Sequence, residues 1–511
     1  MSVAFPHPAY QAMLPLWEDL RNAYIGQEAV KGAQARTRSG RGSRLPGTRY
    51  LARPSGMKNE EQYAAYVERP TWVGWTERTV GGLTGAVFRR EPQIALPKAL
   101  EPQVADVTQT GISLRMFSER TVRETLLMGR FGIFVDFPTG LFDTDGRLLA
   151  PAKDARPYWV GYPAETILNW RTMQRDGDTI LSLVVLEEVL EVPKGSWGTE
   201  EYFKIVYQTQ YRVLRLNEAG VYEESLWKTI PGPAARGRPT LILDKVWIPL
   251  REQQPLTFIP FTFLAPFSLE PTIEKSLLEA LVQINFRHYR HSACYEHALW
   301  MNGLPTPWIA SSLAPQTEFP IGGSVAWLLP PDAKVGMLQT DPAGLPAFQI
   351  ALENDKHDAA IVGARLLEER PDVQETLGAV VMRHQSGDSP MQSLVSSVSQ
   401  ALTWCLQVHG WWAGLTENVD DPTIGVSLNK DLVSSSMSPQ MLTALQAALI
   451  QNTISYETYY YNLQQGEIAR PFIEVDEEQE LITIAKENTP LAPAPAGPQP
   501  PGRTGQRRVA A

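Results

Sequence analysis

Residues 272–301 read TIEKSLLEALVQINFRHYRHSACYEHALWM, and residues 345–370 read LPAFQIALENDKHDAAIVGARLLEER. The first run contains neither Pro nor Gly. Its Ile273, Leu277, Leu281, Ile284, His288, His291, Tyr295 and Ala298 follow at steps of three and four, the spacing of one helix face. At 1.5 Å per residue this predicts a rod of roughly 45 Å. The second run has its own seam, Phe348, Leu352, Asp355, Ala359, Val362 and Leu366, and Pro371 ends it. Between them, residues 302–341 hold six prolines after Gly303, Trp308 and Trp327, and strand-like segments near 306–310, 324–329 and 334–339. Two long helices around a small β-rich module predict an antiparallel pair that carries the module at its far end. An enzyme core has little use for such a stalk. A set of hairpins packed side by side around a tube does.

Working toward the N-terminus, strand signals dominate from about residue 91 to residue 265. They include Phe131 to Phe137, Tyr158 to Trp170, Thr179 to Val192, Tyr202 to Leu216, Leu241 to Leu250 and Leu256 to Leu264. Asp143-Thr-Asp-Gly146 lacks the later ligands of a calcium loop and reads as a hairpin tip. Residues 8–30 are amphipathic, with Leu16, Leu20 and Tyr24 at intervals of four. A basic loop follows, with Arg36, Arg38, Arg41, Arg44 and Arg49 among Gly and Ser, a composition that buries no core. Asn59, followed by Glu60 and Glu61, caps a helix that breaks at Pro70 and resumes to about Arg90.

Toward the C-terminus, residues 371–388 are a polar connection. A third long helix runs from Ser389 to about Trp412 on the stripe Leu394, Val398, Leu402, Cys405 and Trp412. Its other face carries Ser393, Ser396, Ser397 and Thr403. Ser438-Pro439 and Ser455 open further helices, the second bearing Tyr456, Tyr459, Tyr460 and Tyr461. An acidic run from Glu474 to Glu480 suggests a last one, and from Pro490 the chain is a Pro/Ala-rich tail. The fold class expected is α+β.

Composition narrows the function. The 511 residues correspond to about three domains or one elaborated body. Against 46 Lys and Arg stand 56 Asp and Glu, a formal charge of −10, so the surface as a whole does not grip nucleic acid. Two cysteines exclude a disulfide scaffold and fit a reducing compartment. No apolar run of eighteen residues exists, and the N-terminus lacks a signal peptide's features, which points to a soluble intracellular protein with no membrane partner. There is no phosphate-binding G-x-x-x-x-G-K-[ST], no G-x-S-x-G and no H-E-x-x-H, so no enzyme and no cofactor are expected.

Residues along nearly the whole chain then carry a collinear resemblance. They are Trp17, Arg21, Gly26, Val30 and Lys31; Tyr50 to Met57; and Thr79, Val80, Gly82, Leu83, Gly85 and Val87 to Arg89. Further on come Ile259 to Phe261, His288 to Arg290, Tyr295, Glu296, Gly303 to Pro307, Leu328 to Pro330, Gly363 to Glu368 and Ala401 to Trp404. In this order the chain resembles the portal proteins of tailed bacteriophages. It is closest to a branch known mainly as a domain of unknown function with a portal assignment. The Arg/Gly/Ser stretch at 34–47 departs from the pattern.

The resemblance implies a homo-oligomeric ring, typically of about twelve subunits, at one capsid vertex of the virion, assembled in the host cytoplasm. It also implies a channel for double-stranded DNA, with the large terminase, a tail adaptor, and capsid and scaffolding proteins as partners. By position, residues 1–265 would be the wing, 266–301 the first stem helix, 302–341 a small α/β clip and 342–370 the second stem helix. Residues 371–388 would be the tunnel loop, 389–432 the spine helix and wing return, 433–487 a helical crown, and 488–511 a disordered tail.

A conduit must hold DNA weakly, because every neutralised phosphate adds affinity through counterion release. The second stem helix fits, with Glu353, Asp355, Asp358, Glu368 and Glu369 against Lys356, Arg365 and Arg370. The expectation is that its acids, with Glu353 and Lys356 as channel residues, face the bore, and that Arg383, His384 and Gln385 of the tunnel loop touch DNA. In the clip, Trp308, Trp327 and Lys334 are the candidate partner-binding residues. His288, His291, Cys294 and His297 recur every three residues, but each such step lags the helix by about 60°, so all four cannot meet one ion, and packing and inter-subunit hydrogen bonds are favoured over a metal. The alternatives are another head–tail adaptor or head-completion protein and, from a different class, a metal-dependent nuclease.

Overall fold

Pro8 opens the first helix, α1 (Pro8–Ile25), where its missing N–H costs nothing, and His7 Nδ1 caps the Ala9 N–H. Trp17, Leu20 and Ala23 are fully buried on its inner face. The helix expected over 8–30 is in fact two. Gly26, at φ +103°, takes a conformation costly for any side chain, and the chain restarts as α2 (Gln27–Gly32). Next come α3 (Glu60–Glu68), capped by Asn59 Oδ1 accepting from the Glu61 N–H, and α4 (Trp75–Val87), with the break between them where Pro70 predicts it. The computed structural model describes residues 3–33, 47–138, 141–142, 148–150, 156–230, 240–303, 306–310, 327–338, 342–366, 389–432, 439–451, 453–465, 468–469 and 475–487. The chain divides into two units, Met1–Leu432 and Val433–Ala511.

After the short strand β1 (Gln93–Ala95) the structure departs from a purely β expectation. Helix α5 (Leu114–Met128) starts at Ser113, whose hydroxyl accepts from the Met116 N–H, and stops at Gly129 in the left-handed region. Its buried positions include Ser118, Thr121, Glu124 and Thr125, which disguise the inner face as polar. Ser118 and Thr121 satisfy their hydroxyls on the carbonyls of Leu114 and Phe117, and Glu124 is paired with Arg21.

The strands that follow are β2 (Phe131–Asp136), β3 (Leu141–Phe142), β4 (Leu148–Ala150), β5 (Tyr158–Pro163), β6 (Ile167–Arg175), β7 (Asp178–Pro193), β8 (Ile205–Leu216), β9 (Tyr222–Ile230), β10 (Thr240–Trp247), β11 (Leu250–Arg251), β12 (Gln254–Pro255) and β13 (Phe261–Leu264). Strands β13, β2 and β5 form one antiparallel sheet, with Phe134 opposite both Phe261 and Val160. Strands β6 to β10 form a five-stranded meander. The single ribbon expected from Tyr158 to Trp170 is therefore two strands in different sheets, separated by a 3-10 turn at Ala164–Thr166. The hairpin around residues 143–146 is flanked by the pair β3–β4, and its tip lies outside the described residues.

The long helix α6 spans Glu279–Gly303, a turn and a half shorter than the 272–301 expected. The cause is local. Ser276 Oγ donates to the Leu127 carbonyl at 2.7 Å and accepts from the Leu278 N–H, so this segment is spent on capping α5. It runs so close to Gly129 that a Cβ there would sit 2.8 Å from Glu274 O and Ser276 N. Beyond α6 come β14 (Thr306–Ala310), β15 (Lys334–Leu338), α7 (Leu345–Arg365), α8 (Pro390–Trp412) and β16 (Gly425–Ser427), which pairs with β1. Helix α8 begins with a reciprocal cap, Ser389 Oγ with the Gln392 N–H and Gln392 Oε1 with the Ser389 N–H.

The second unit holds α9 (Pro439–Ile450), α10 (Tyr456–Gln465) and α11 (Val475–Glu487). Tyr456 stacks on Tyr460, which is buried, while Tyr461 is exposed. The architecture is α+β, and among the described residues no helix is long and apolar enough to cross a membrane.

Candidate functional site

Helices α6 and α7 lie antiparallel, as three cross-helix contacts in reversed order require. Arg287 Nε donates to Asp355 Oδ1 at 2.6 Å, His291 Nδ1 meets Asp355 Oδ2 at 2.8 Å, and Gln349 Nε2 donates to the Tyr295 hydroxyl at 2.8 Å. Arg287 also reaches Asp358 with Nη2. Asp355 is 2% exposed, so both its oxygens are committed to α6. The seam read from the sequence is the buried side of α7: Asp355, Ala359 and Leu366 are buried, and Phe348, Leu352 and Val362 half-buried. Strands β14 and β15 pair antiparallel at the far end, with Trp308 opposite Gly336 and Ile309 opposite Val335.

The root of the hairpin is fixed to the helices before the sheets. Asn285, fully buried on α6, accepts from the N–H and hydroxyl of Thr76 and donates to the Val73 carbonyl at 2.8 Å. Tyr50 stacks on Phe286 at 4.1 Å, and Trp72 packs on Phe286 and Tyr289. His288 packs beside Trp75 with its ring buried, and that burial lowers its pKa. Cys294 faces the Tyr66 hydroxyl at 3.8 Å, and His297 faces Arg69 at 3.3 Å. The four residues spaced by three thus face Trp75, Asp355, Tyr66 and Arg69 in turn, and the Tyr66 ring also meets His297 edge-on. Among the described residues, no group of three or more His, Cys, Asp or Glu side chains is placed to hold a metal.

The expected channel acids divide. Asp355 and Asp358 point at α6 rather than away from it, because Arg287 and His291 offer them donors there. Glu353 and Lys356 are exposed and pair with each other at 2.6 Å, two turns into α7. Glu368, Glu369 and Arg370 lie outside the described residues, as do Arg383, His384 and Gln385 and the whole of 371–388. In the clip, the Trp308 indole covers Gly336, where a Cβ would fall 2.7 Å from Nε1, and it stays 44% exposed. Lys334 is exposed at the start of β15. Trp327 is half-buried, and residues 327–330 are irregular rather than the strand expected near 324–329; residues 324–326 lie outside the described ones. Among the described residues the clip is a β-hairpin, with Val335 and Met337 exposed on it.

The Ser/Thr face of α8 makes hydrogen bonds within this chain. Thr403 Oγ1 accepts from the Val426 N–H at 2.9 Å and donates to its carbonyl at 3.3 Å, Ser396 bonds back to the Gln392 carbonyl, and Ser397 is buried against the Pro266 carbonyl.

A family model described as a domain of unknown function, DUF4055, matches residues 277–413, from the base of α6 to the end of α8. No curated protein matches the chain. Among solved structures, the neck of a native GTA particle computed with C12 symmetry has 11% identity over 79% of this chain and 94% of that one, with a TM-score of 0.32. The neck of an empty GTA particle computed with C6 symmetry has 12% identity, 85% and 97% coverage and a TM-score of 0.33. The virion of a native gene transfer agent particle has 11%, 87% and 98%, and 0.32.

One cluster was not anticipated from the sequence. Between the two sheets, Arg212 binds Glu188 through Nε at 2.7 Å and Glu224 through Nη1, with Asp136 3.6 Å away. Tyr158, Tyr162 and Tyr222 each donate a hydroxyl to one of the three carboxylates. Burial and then Asp136 push Glu224 up to about 8, and burial raises Asp136 as well. Burial acts to raise Glu188 too, but the charge and hydrogen bonds of Arg212 outweigh it and its pKa falls. The residues span positions 136 to 224. The one available signal was the polar set Glu188, Gln210, Arg212 and Glu224 on the inward parity of consecutive strands.

Proposed function

We propose that this chain is a structural component of a tailed phage-like particle, and specifically a portal protein. In this reading about twelve copies form a ring at a capsid vertex of the virion. Double-stranded DNA enters and leaves through the ring, and it docks a large terminase and later a tail adaptor. It has no catalytic role and no cofactor. The observation that carries the reading is the α6–α7 hairpin, rooted by Asn285 and Phe286, clamped midway by Asp355, and carrying at its end, among the described residues, the strand pair β14–β15. The pair exposes Trp308, Val335 and Met337, which suits contact with neighbouring copies or with a partner.

Replacing residues 306–338 by a short turn, leaving α6 and α7 intact, tests the assignment. The variant should keep its helical hairpin and lose co-purification with the large terminase of the same particle when the two are co-expressed. Undiminished terminase capture would refute the docking role.

A further inference from the structure

An open cavity of about 1020 Å³ lies in the first unit, with Trp170, Phe263, Pro271, Trp404, Arg171 and Glu270 among its walls. Arg130 sits immediately behind that wall. Its guanidinium is clamped between the rings of Trp170 at 4.1 Å and Phe263 at 4.4 Å, and Nη1 donates to the Pro271 carbonyl at 2.7 Å. All three of those partners line the cavity.

Arg130 is only 1% exposed, its Nε and Nη2 are buried without a hydrogen-bond partner, and among the described residues no carboxylate pairs with it. Burial lowers its pKa to about 9, still above neutrality, so it remains a cation. Buried charges are ordinarily paired. The walls between Arg130 and the cavity are aromatic and of low dielectric, so they screen its charge poorly. His7 registers this field. It lines the cavity, stacks on Trp170 at 4.1 Å, and has its pKa lowered by burial and then by Arg130.

Volume, aromatic walls and a cation close behind them suit a small amphipathic anion. We propose that this cavity binds an organic monocarboxylate with an aromatic or branched aliphatic body, its carboxylate toward Arg130 and its body against Trp170 and Trp404. The site is independent of the portal reading.

The test is calorimetric titration of the full-length protein with 4-phenylbutyrate and with the uncharged 4-phenylbutanol. The acid should bind at least about tenfold more tightly than the alcohol. Thr172→Trp, which fills the cavity from an exposed lining position, should abolish both, and Arg130→Met should bring acid and alcohol level. The acid-to-alcohol ratio is read on the unaltered chain, so it decides even if Arg130→Met fails to fold. No binding of the acid, equal binding of the two, or acid binding that survives Thr172→Trp would each overturn the proposal.

Discussion

Removing the Asp355 carboxylate should loosen α7 from α6 without unfolding the rest of the first unit. In Asp355→Ala, Arg287 Nε and His291 Nδ1 lose an acceptor at 2.6 and 2.8 Å. Hydrogen bonds to a charged group contribute about 1.5–3 kcal/mol each when their partners are buried. Here the partners are 42% and 35% exposed and Arg287 keeps Asp358, so water recovers part of the loss. The expected net cost is about 2 kcal/mol. Asp355→Asn, which keeps one acceptor and the side-chain shape, should cost about half as much. The exposed Glu353–Lys356 pair is the internal control, and Glu353→Ala should cost less than about 0.5 kcal/mol. Native-state hydrogen exchange on α7 amides reads these effects without assuming that the whole protein unfolds in one step. The Asp355→Ala cost corresponds to a loss of protection of roughly 30-fold, confined to α7 and the facing turns of α6. A change no larger than that of Glu353→Ala would refute the clamp.

Three further outcomes follow from the same structure. Gly129→Ala places a Cβ at φ +69° against the backbone of Glu274 and Ser276, and should destabilise by about 2 kcal/mol or more, seen as a lower thermal midpoint. Thr403→Val removes both bonds from α8 to Val426 and should cost about 1–2 kcal/mol in chemical denaturation, with faster exchange at Val426. Glu224 has its folded pKa raised, so its contribution is full below the unfolded carboxyl value and is lost as pH rises through about 8. Glu224→Gln, which mimics the protonated acid, should therefore gain stability relative to the parent between about pH 5 and pH 9. A parent–variant difference that stays constant over this range would contradict a proton on Glu224.

Periodicity made the two rods legible, because a helix that packs along one side repeats its buried residues at 3.6, and Phe348 to Leu366 do so. It also placed Asp355 on the seam, though nothing local said that Arg287 and His291, over sixty residues earlier, would face it. The start of α6 was misread because the apolar spacing of Ile273 and Leu277 continues into a segment that tertiary contacts with α5 hold extended. Helix α5 escaped notice because Ser118, Thr121, Glu124 and Thr125 occupy inner positions, the first two satisfied by carbonyls of their own helix and Glu124 by Arg21. The Arg212 cluster was invisible for a related reason: its members meet only once two sheets have stacked.

The central claim is that copies of the α6–α7 hairpin stand around a common axis. The most direct measurement is the mass and image of the purified full-length protein. With a chain of 57.0 kDa, the account predicts a closed ring near twelve copies, about 680 kDa, with a hole on its axis wide enough for a duplex. A stable monomer or dimer, or an assembly with no axial passage, would contradict it.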